Sequence, residues 1–127
     1  MEFQFLTNYK SFDDAQSLCI NQGGKLFEPR DAKITKDVTD HAKTVRFHSF
    51  WLGIHDKTNE GTFVYASDDT PIEWNNWGFG EPSNRSGEDC ARFYYWEWAA
   101  TFCTTDISAV CVRYKKGKSI RDCINFS

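Results

Sequence analysis

Residues 51–90 read WLGIHDKTNEGTFVYASDDTPIEWNNWGFGEPSNRSGEDC, and the fold turns on this stretch. It begins inside a short apolar strand, 50–54, which a polar turn separates from a second strand at 63–65. Asp68-Asp69-Thr70-Pro71 reads as another turn. From Ile72 to Asp89 neither a helix nor a strand period holds, and long irregular runs in compact domains usually carry function. Within that run Glu81-Pro82-Ser83 stands a few residues before Glu88-Asp89-Cys90. Carboxylates and short oxygen-bearing side chains crowded on a loop suit a hard cation such as calcium, which takes roughly six to eight oxygens.

Outward from the loop the chain becomes regular. Residues 91–95, 98–102 and 108–112 read as closing strands and 3–7 as the opening one. Ser11 starts a helix with Asp14 as its capping-box partner; Phe12, Ala15, Leu18 and Cys19 share one face, and Gly23-Gly24 ends it. Asp31 caps a second helix, DAKITKDVTDHAKTV, whose stripe is Ile34, Val38, Ala42 and Val45. His41 borders that stripe as a packed or half-exposed residue. Phe93-Tyr94-Tyr95-Trp96 is expected to alternate between the faces of a strand, with about half of it in the core. Tyr94, Trp96 and Phe79 are then aromatics for rim packing, with stacking on a ligand as the sharper use. The layout is α+β: two helices with small antiparallel sheets carrying a long irregular loop over 1–112, followed by a basic tail, 113–127.

At 127 residues, with 40% hydrophobic and 17% aromatic residues, the chain can build one cored domain. No apolar run reaches the roughly 20 residues of a membrane helix, so no insertion is expected. Met1-Glu2-Phe3 lacks the basic start and apolar segment of a signal peptide. The five cysteines nevertheless favour an oxidising compartment, and the sequence reads as a mature or excised part of a secreted protein. Residues 113–122 hold five of the 15 basic residues and one of the 18 acids, leaving 10 basic against 17 acidic residues in the rest. An acidic body argues against nucleic acid, which needs a basic face. There is no Walker loop, H-E-x-x-H or G-x-S-x-G, and His48 and His55 with the cysteines lack zinc spacing, so no enzyme is expected.

Several features in one order carry a resemblance: Cys19 on a helix, WLGI at 51–54, WNNWGFGEPSN at 74–84, GEDC at 87–90, Trp98 before Cys103, and Cys111. Residues 3–112 resemble the short form of the C-type lectin-like domain family. The resemblance implies disulfides Cys19–Cys111 and Cys90–Cys103. It leaves Cys123 over, either as an exposed tail thiol or as an interchain bridge making a homodimer.

It also implies two calcium sites. In family members the sugar-binding ion is held by the Glu and Asn of a Glu-Pro-Asn tripeptide, a later Glu, and the Asn and Asp of Trp-Asn-Asp. Here Glu81 and Glu88 match, Ser83 replaces the Asn, and Ala99 and Ala100 replace the last two. Glu97, two residues from Ala99, is a candidate substitute. The expected sugar residues are therefore Glu81, Ser83, Glu88 and Glu97, at a weakened site. The auxiliary ion's ligands fall on Asp56, Glu60, Asn84, Glu88 and Asp89. Asn84-Arg85-Ser86 is also a glycosylation sequon, and a glycan there competes with ligation; Asn125-Phe126-Ser127 is a second sequon.

Two functions follow from the resemblance. One is a calcium-dependent carbohydrate-binding lectin, extracellular, with a primary site that is mannose-type by its Glu or galactose-type by analogy with a Glu-Pro-Ser tunicate member. The other is a protein-binding domain that keeps at most a structural calcium and binds no sugar, which the two alanines favour.

Overall fold

The computed structural model describes residues 2–83, 85–113 and the backbone of 124–125. The elements in chain order are β1 (Glu2–Lys10), α1 (Phe12–Asn21), β2 (Lys25–Leu26), α2 (Ala32–Thr44), β3 (Ser49–His55), β4 (Val64–Tyr65), β5 (Cys90–Tyr94), β6 (Glu97–Thr101), β7 (Ile107–Arg113) and β8 (Ile124–Asn125). They form two four-stranded sheets, β2-β7-β1-β8 and β4-β3-β5-β6. All pairings are antiparallel except β1 with β8. Among the described residues no helix is long and apolar enough to cross a membrane.

Both helices start where the sequence places their caps. Ser11 Oγ accepts from Asp14 N, and Asp31 Oδ1 accepts from Lys33 N and Ile34 N. α1 ends in a Schellman pattern: Gly24 N donates to Cys19 O and Gly23 N to Ile20 O, with Gly23 at φ 84°. The α2 stripe gains Thr35 and loses Val45. Val38, Ala42 and Thr35 are buried, Ile34 is partly buried, and Val45, the C-cap, is half exposed because the helix has already stopped.

β3 separates two apolar clusters. Phe50, Leu52 and Ile54 enter the larger one with Phe27, Tyr65, Phe93, Trp98, Val110 and helix residues Val38 and Ala42. Trp51 points the other way, against Phe12, Cys19, Cys90 and Cys111, and its indole donates to Lys10 O at 2.8 Å. Gly53 interrupts the alternation for a steric reason: a Cβ there would lie 2.9 Å from Glu28 Cγ and 3.1 Å from Phe27 O. The 27–28 backbone therefore lies directly on β3, with Gly53 N donating to Phe27 O.

The expected disulfides Cys19–Cys111 and Cys90–Cys103 are both present. Tyr95 and Trp96 depart from expectation. They form the two-residue turn between β5 and β6, both at positive φ (45° and 77°), rather than continuing the strand. Two pieces of regular structure escaped the sequence reading, the two-residue strands β2 and β8; the expected small sheets are two of four strands each.

Candidate functional site

The long loop is pinned from within by indoles. Trp74 and Trp77 pack edge-on against buried Trp98 at 5.1 and 5.6 Å, and Phe63 lies 4.9 Å from Trp77. Residues 76–78 run beside β6, with Trp98 N donating to Asn76 O and Gly78 N to Trp98 O. The base of the loop is held by Glu28, which is buried. Its carboxylate accepts from Ser67 N, Ser67 Oγ, Arg30 Nε and Lys25 Nζ, at 2.8 to 3.1 Å. Arg30 continues to Asp68 at 2.9 Å and lies 4.1 Å over the Tyr65 ring. Nothing in the sequence reading singled out Glu28; only its place beside Pro29 and Arg30, away from any amphipathic period, could have flagged it.

At one end of the β3–β5 ladder three acids converge. Asp56 follows β3, Asp89 precedes β5, and their backbones are joined by Asp56 N donating to Asp89 O at 2.9 Å. Glu60 arrives on the turn after Asp56. One oxygen from each of Asp56, Glu60 and Asp89 lies within 4.8 Å of the others. Asp56 is 5% exposed. Its Oδ2 accepts from Gly61 N at 2.9 Å, while its Oδ1 is buried with no hydrogen-bond partner among the described residues. Hydrogen bonds with Asp89 and Asp56, and their negative charge, push the Glu60 carboxyl up to about 7. Adjacent His55 adds no positive charge to offset this: burial, with Lys57 nearby, holds its pKa below the ordinary value. A buried carboxylate oxygen without a partner, facing two more carboxylates, fits a hard divalent cation.

The other expected residues form a second, adjacent set. Glu81 follows a turn closed by its N–H on Gly78 O, and the Glu81–Pro82 peptide is cis. Glu81 Oε1 accepts from Ala100 N at 2.9 Å and Ser83 N at 3.1 Å. Ser83 Oγ donates to Glu88 Oε1. Glu88 is thus engaged with Ser83 and is not in the three-acid cluster. Glu97 is exposed and lies against Gly78. The Ala100 methyl is buried in the core with Ala91 and Trp98, so that position offers the loop only its backbone. Asn84, of the expected ligand set, and Cys123 with the basic residues after Arg113 lie outside the described residues.

Two disulfides around a two-helix, two-sheet body, with an indole-pinned loop bearing acids, define a C-type lectin-like domain. The chain belongs to the lectin C-type domain family, whose profile matches residues 8–113, and with it to a class of non-enzymatic domains. It is 32% identical over 107 residues to a perlucin-like protein of Mytilus galloprovincialis, covering 80% of this chain and 69% of that one. To salivary C-type lectin 2 of Aedes albopictus it is 39% identical over 128 residues, covering 91% and 85%. The solved mouse scavenger receptor C-type lectin carbohydrate-recognition domain superposes with a TM-score of 0.81 at 24% identity, covering 92% and 91%, a likeness of fold.

Proposed function

We propose that this chain is an extracellular carbohydrate-binding lectin domain whose loop is organised by calcium. The observation that carries the calcium reading is the convergence of Asp56, Glu60 and Asp89 around the unpartnered, buried Asp56 Oδ1. Those three would hold the ion, with Glu88 and Asn84 as further candidates from the family pattern. An ion held there would offset most of the negative charge of the three carboxylates and tie the loop to the β3–β5 ladder; Glu81, Ser83, Glu88 and Glu97 are the residues that would face a glycan. Sugar affinity is weak in this reading. Glu81 and Glu88 already accept protein hydrogen bonds, and Ala99 and Ala100 contribute no oxygen side chains. The secreted location rests on the disulfides and on the salivary relative. We further infer that Cys123 joins two chains.

A second reading, a protein-binding domain with a structural ion only, is favoured by the same alanines and by Phe79, fully exposed at the loop. Calorimetry separates the readings. Calcium should bind wild type, and Asp89→Asn should abolish calcium-dependent thermal stabilisation, since an ion that binds only the folded state raises the melting temperature. Mannose and galactose should then bind at about millimolar affinity in calcium and not in chelator. Calcium binding without any sugar response would select the protein-binding reading. Identical melting in calcium and chelator would overturn the ion site.

A further inference from the structure

The β3–β5 ladder has a second end. Asp56 and Asp89 close one end; Ser49 opposite Tyr94 closes the other, a separation of about 20 Å along a seven-residue strand. At that far end is a cleft of about 460 Å³ lined in part by Arg46, His48, Ser49, Arg92, Tyr94 and Asp106. Three residues of this cleft, His48, Ser49 and Arg92, each carry a side-chain polar atom (Nδ1, Oγ and Nε) that is sealed from solvent and without a hydrogen-bond partner among the described residues. Buried polar atoms are nearly always paired, so three orphans behind one wall make that wall polar, and a ligand seated against it would be polar too, although the sealed atoms themselves do not touch it.

The charges indicate which kind. Neither Arg46 nor Arg92 is in an ion pair among the described residues. Asp106 is the one carboxylate in the lining, so the two guanidiniums leave the cleft net positive. Guanidinium forks match the geometry of oxyanions. The cleft is also aromatic: Arg92 lies 4.3 Å from the Tyr94 ring centre, and His48 stacks on Tyr95 at 5.0 Å and 13°. The adjacent turn holds Tyr95 and Trp96 at positive φ, a conformation that hairpins normally give to Asn-Gly.

We propose that this cleft is a second, calcium-independent binding site for an acidic saccharide, with Arg46 and Arg92 on its sulfate or carboxylate group and Tyr94 against its ring. A ring-sized ligand suits a half-open cleft of this volume better than an acidic protein, which would need about 800 Å² of contact per partner.

The test is calorimetry in chelator at low salt. The probes are a sulfated chondroitin tetrasaccharide, its unsulfated carboxylate-only counterpart, neutral N-acetyllactosamine and inorganic sulfate. The sulfated or the carboxylate tetrasaccharide should bind at least tenfold more tightly than the neutral sugar, and their ranking tells which oxyanion the site takes. Arg92→Gln and the surface change Arg46→Gln should each weaken binding about tenfold with wild-type melting, and Asp89→Asn should change nothing. No binding in chelator overturns the proposal. So does binding unaltered by the Arg46 change, which would place the contact elsewhere on the chain, and so does inorganic sulfate that binds as tightly as the tetrasaccharides. None of these results depends on the calcium site.

Discussion

At the scale of single residues, Glu60 and Ala100 set opposite demands on the loop. Glu60 carries a carboxyl raised from 4.5 to about 7 by Asp89 and Asp56. A carboxyl whose pKa rises on folding favours the folded state while protonated. That contribution is full below about 4.5 and is lost as pH rises through about 7, where three carboxylates repel. In chelator the melting temperature of wild type should therefore fall between pH 5 and pH 8 more than that of Glu60→Gln, whose amide stays neutral. Differential scanning fluorimetry reads this directly; equal slopes would mean that the cluster is not coupled as the geometry has it. Calcium should raise melting more at pH 8 than at pH 5, since it competes with the Glu60 proton. Ala100 is 8% exposed, with its methyl in the core and its N–H on Glu81. Ala100→Asp would bury a second carboxylate beside Glu81, and in chelator this should cost about 2–4 kcal/mol. Recovery of most of that loss in calcium would show that Glu81 and the new carboxylate can share an ion. No recovery would show that the primary site is closed by packing as well as by missing ligands.

Among elements, the connection that matters most for the loop is Glu28, which couples the segment after β2 to the 66–70 turn. Glu28→Ala removes four accepted hydrogen bonds, two of them from charged groups. Arg30 and Lys25 are each about one-third exposed and would regain water. The expected loss is about 2 kcal/mol, at the lower end for hydrogen bonds to charged groups. Urea titration should show a lower midpoint at unchanged slope; a midpoint shift near zero would make the network ornamental. What the sequence shows at this scale depends on whether local chemistry has a distinct sign. Ser11 and Asp31 announce their helices because a short side-chain oxygen at the head of an apolar-periodic run has one good use. The order of Cys19, Cys90, Cys103 and Cys111 carries the fold in the same way. β2 is invisible because two residues have no period. The β5–β6 turn is invisible because Tyr95-Trp96 lacks every turn signal, its conformation being imposed by the pairing of Tyr94 with Glu97. The acid cluster was legible as a set of residues, but its partition into Asp56–Glu60–Asp89 and Glu81–Ser83–Glu88 was not, because that depends on which backbone segments the indoles pin together.

For the whole molecule, the covalent frame sets what is expected of chain association. Cys19–Cys111 closes a loop of 92 residues and ties α1 to β7; Cys90–Cys103 closes 13 and ties the start of β5 to the strand-exit segment beyond β6. In the chain-entropy treatment the first contributes roughly 4–5 kcal/mol and the second about 3, by restricting the unfolded chain. These two bridges use four of the five cysteines and leave Cys123 over. Protein purified without reductant should therefore run in intact-mass analysis at twice the 14.7 kDa of the chain, and mild reduction should return the single mass while both internal bridges persist. Cys123→Ser should give the monomer directly with unchanged melting. The functional consequence is avidity. A dimer presents two copies of each site, and a millimolar sugar contact made twice on one surface gains by the effective concentration of the second. Wild type and Cys123→Ser should then bind a free monosaccharide alike, whereas on a surface dense in glycan wild type should dissociate at least tenfold more slowly. A homogeneous monomer with one titratable thiol would remove the dimer, and with it the means by which weak individual sites could hold a surface.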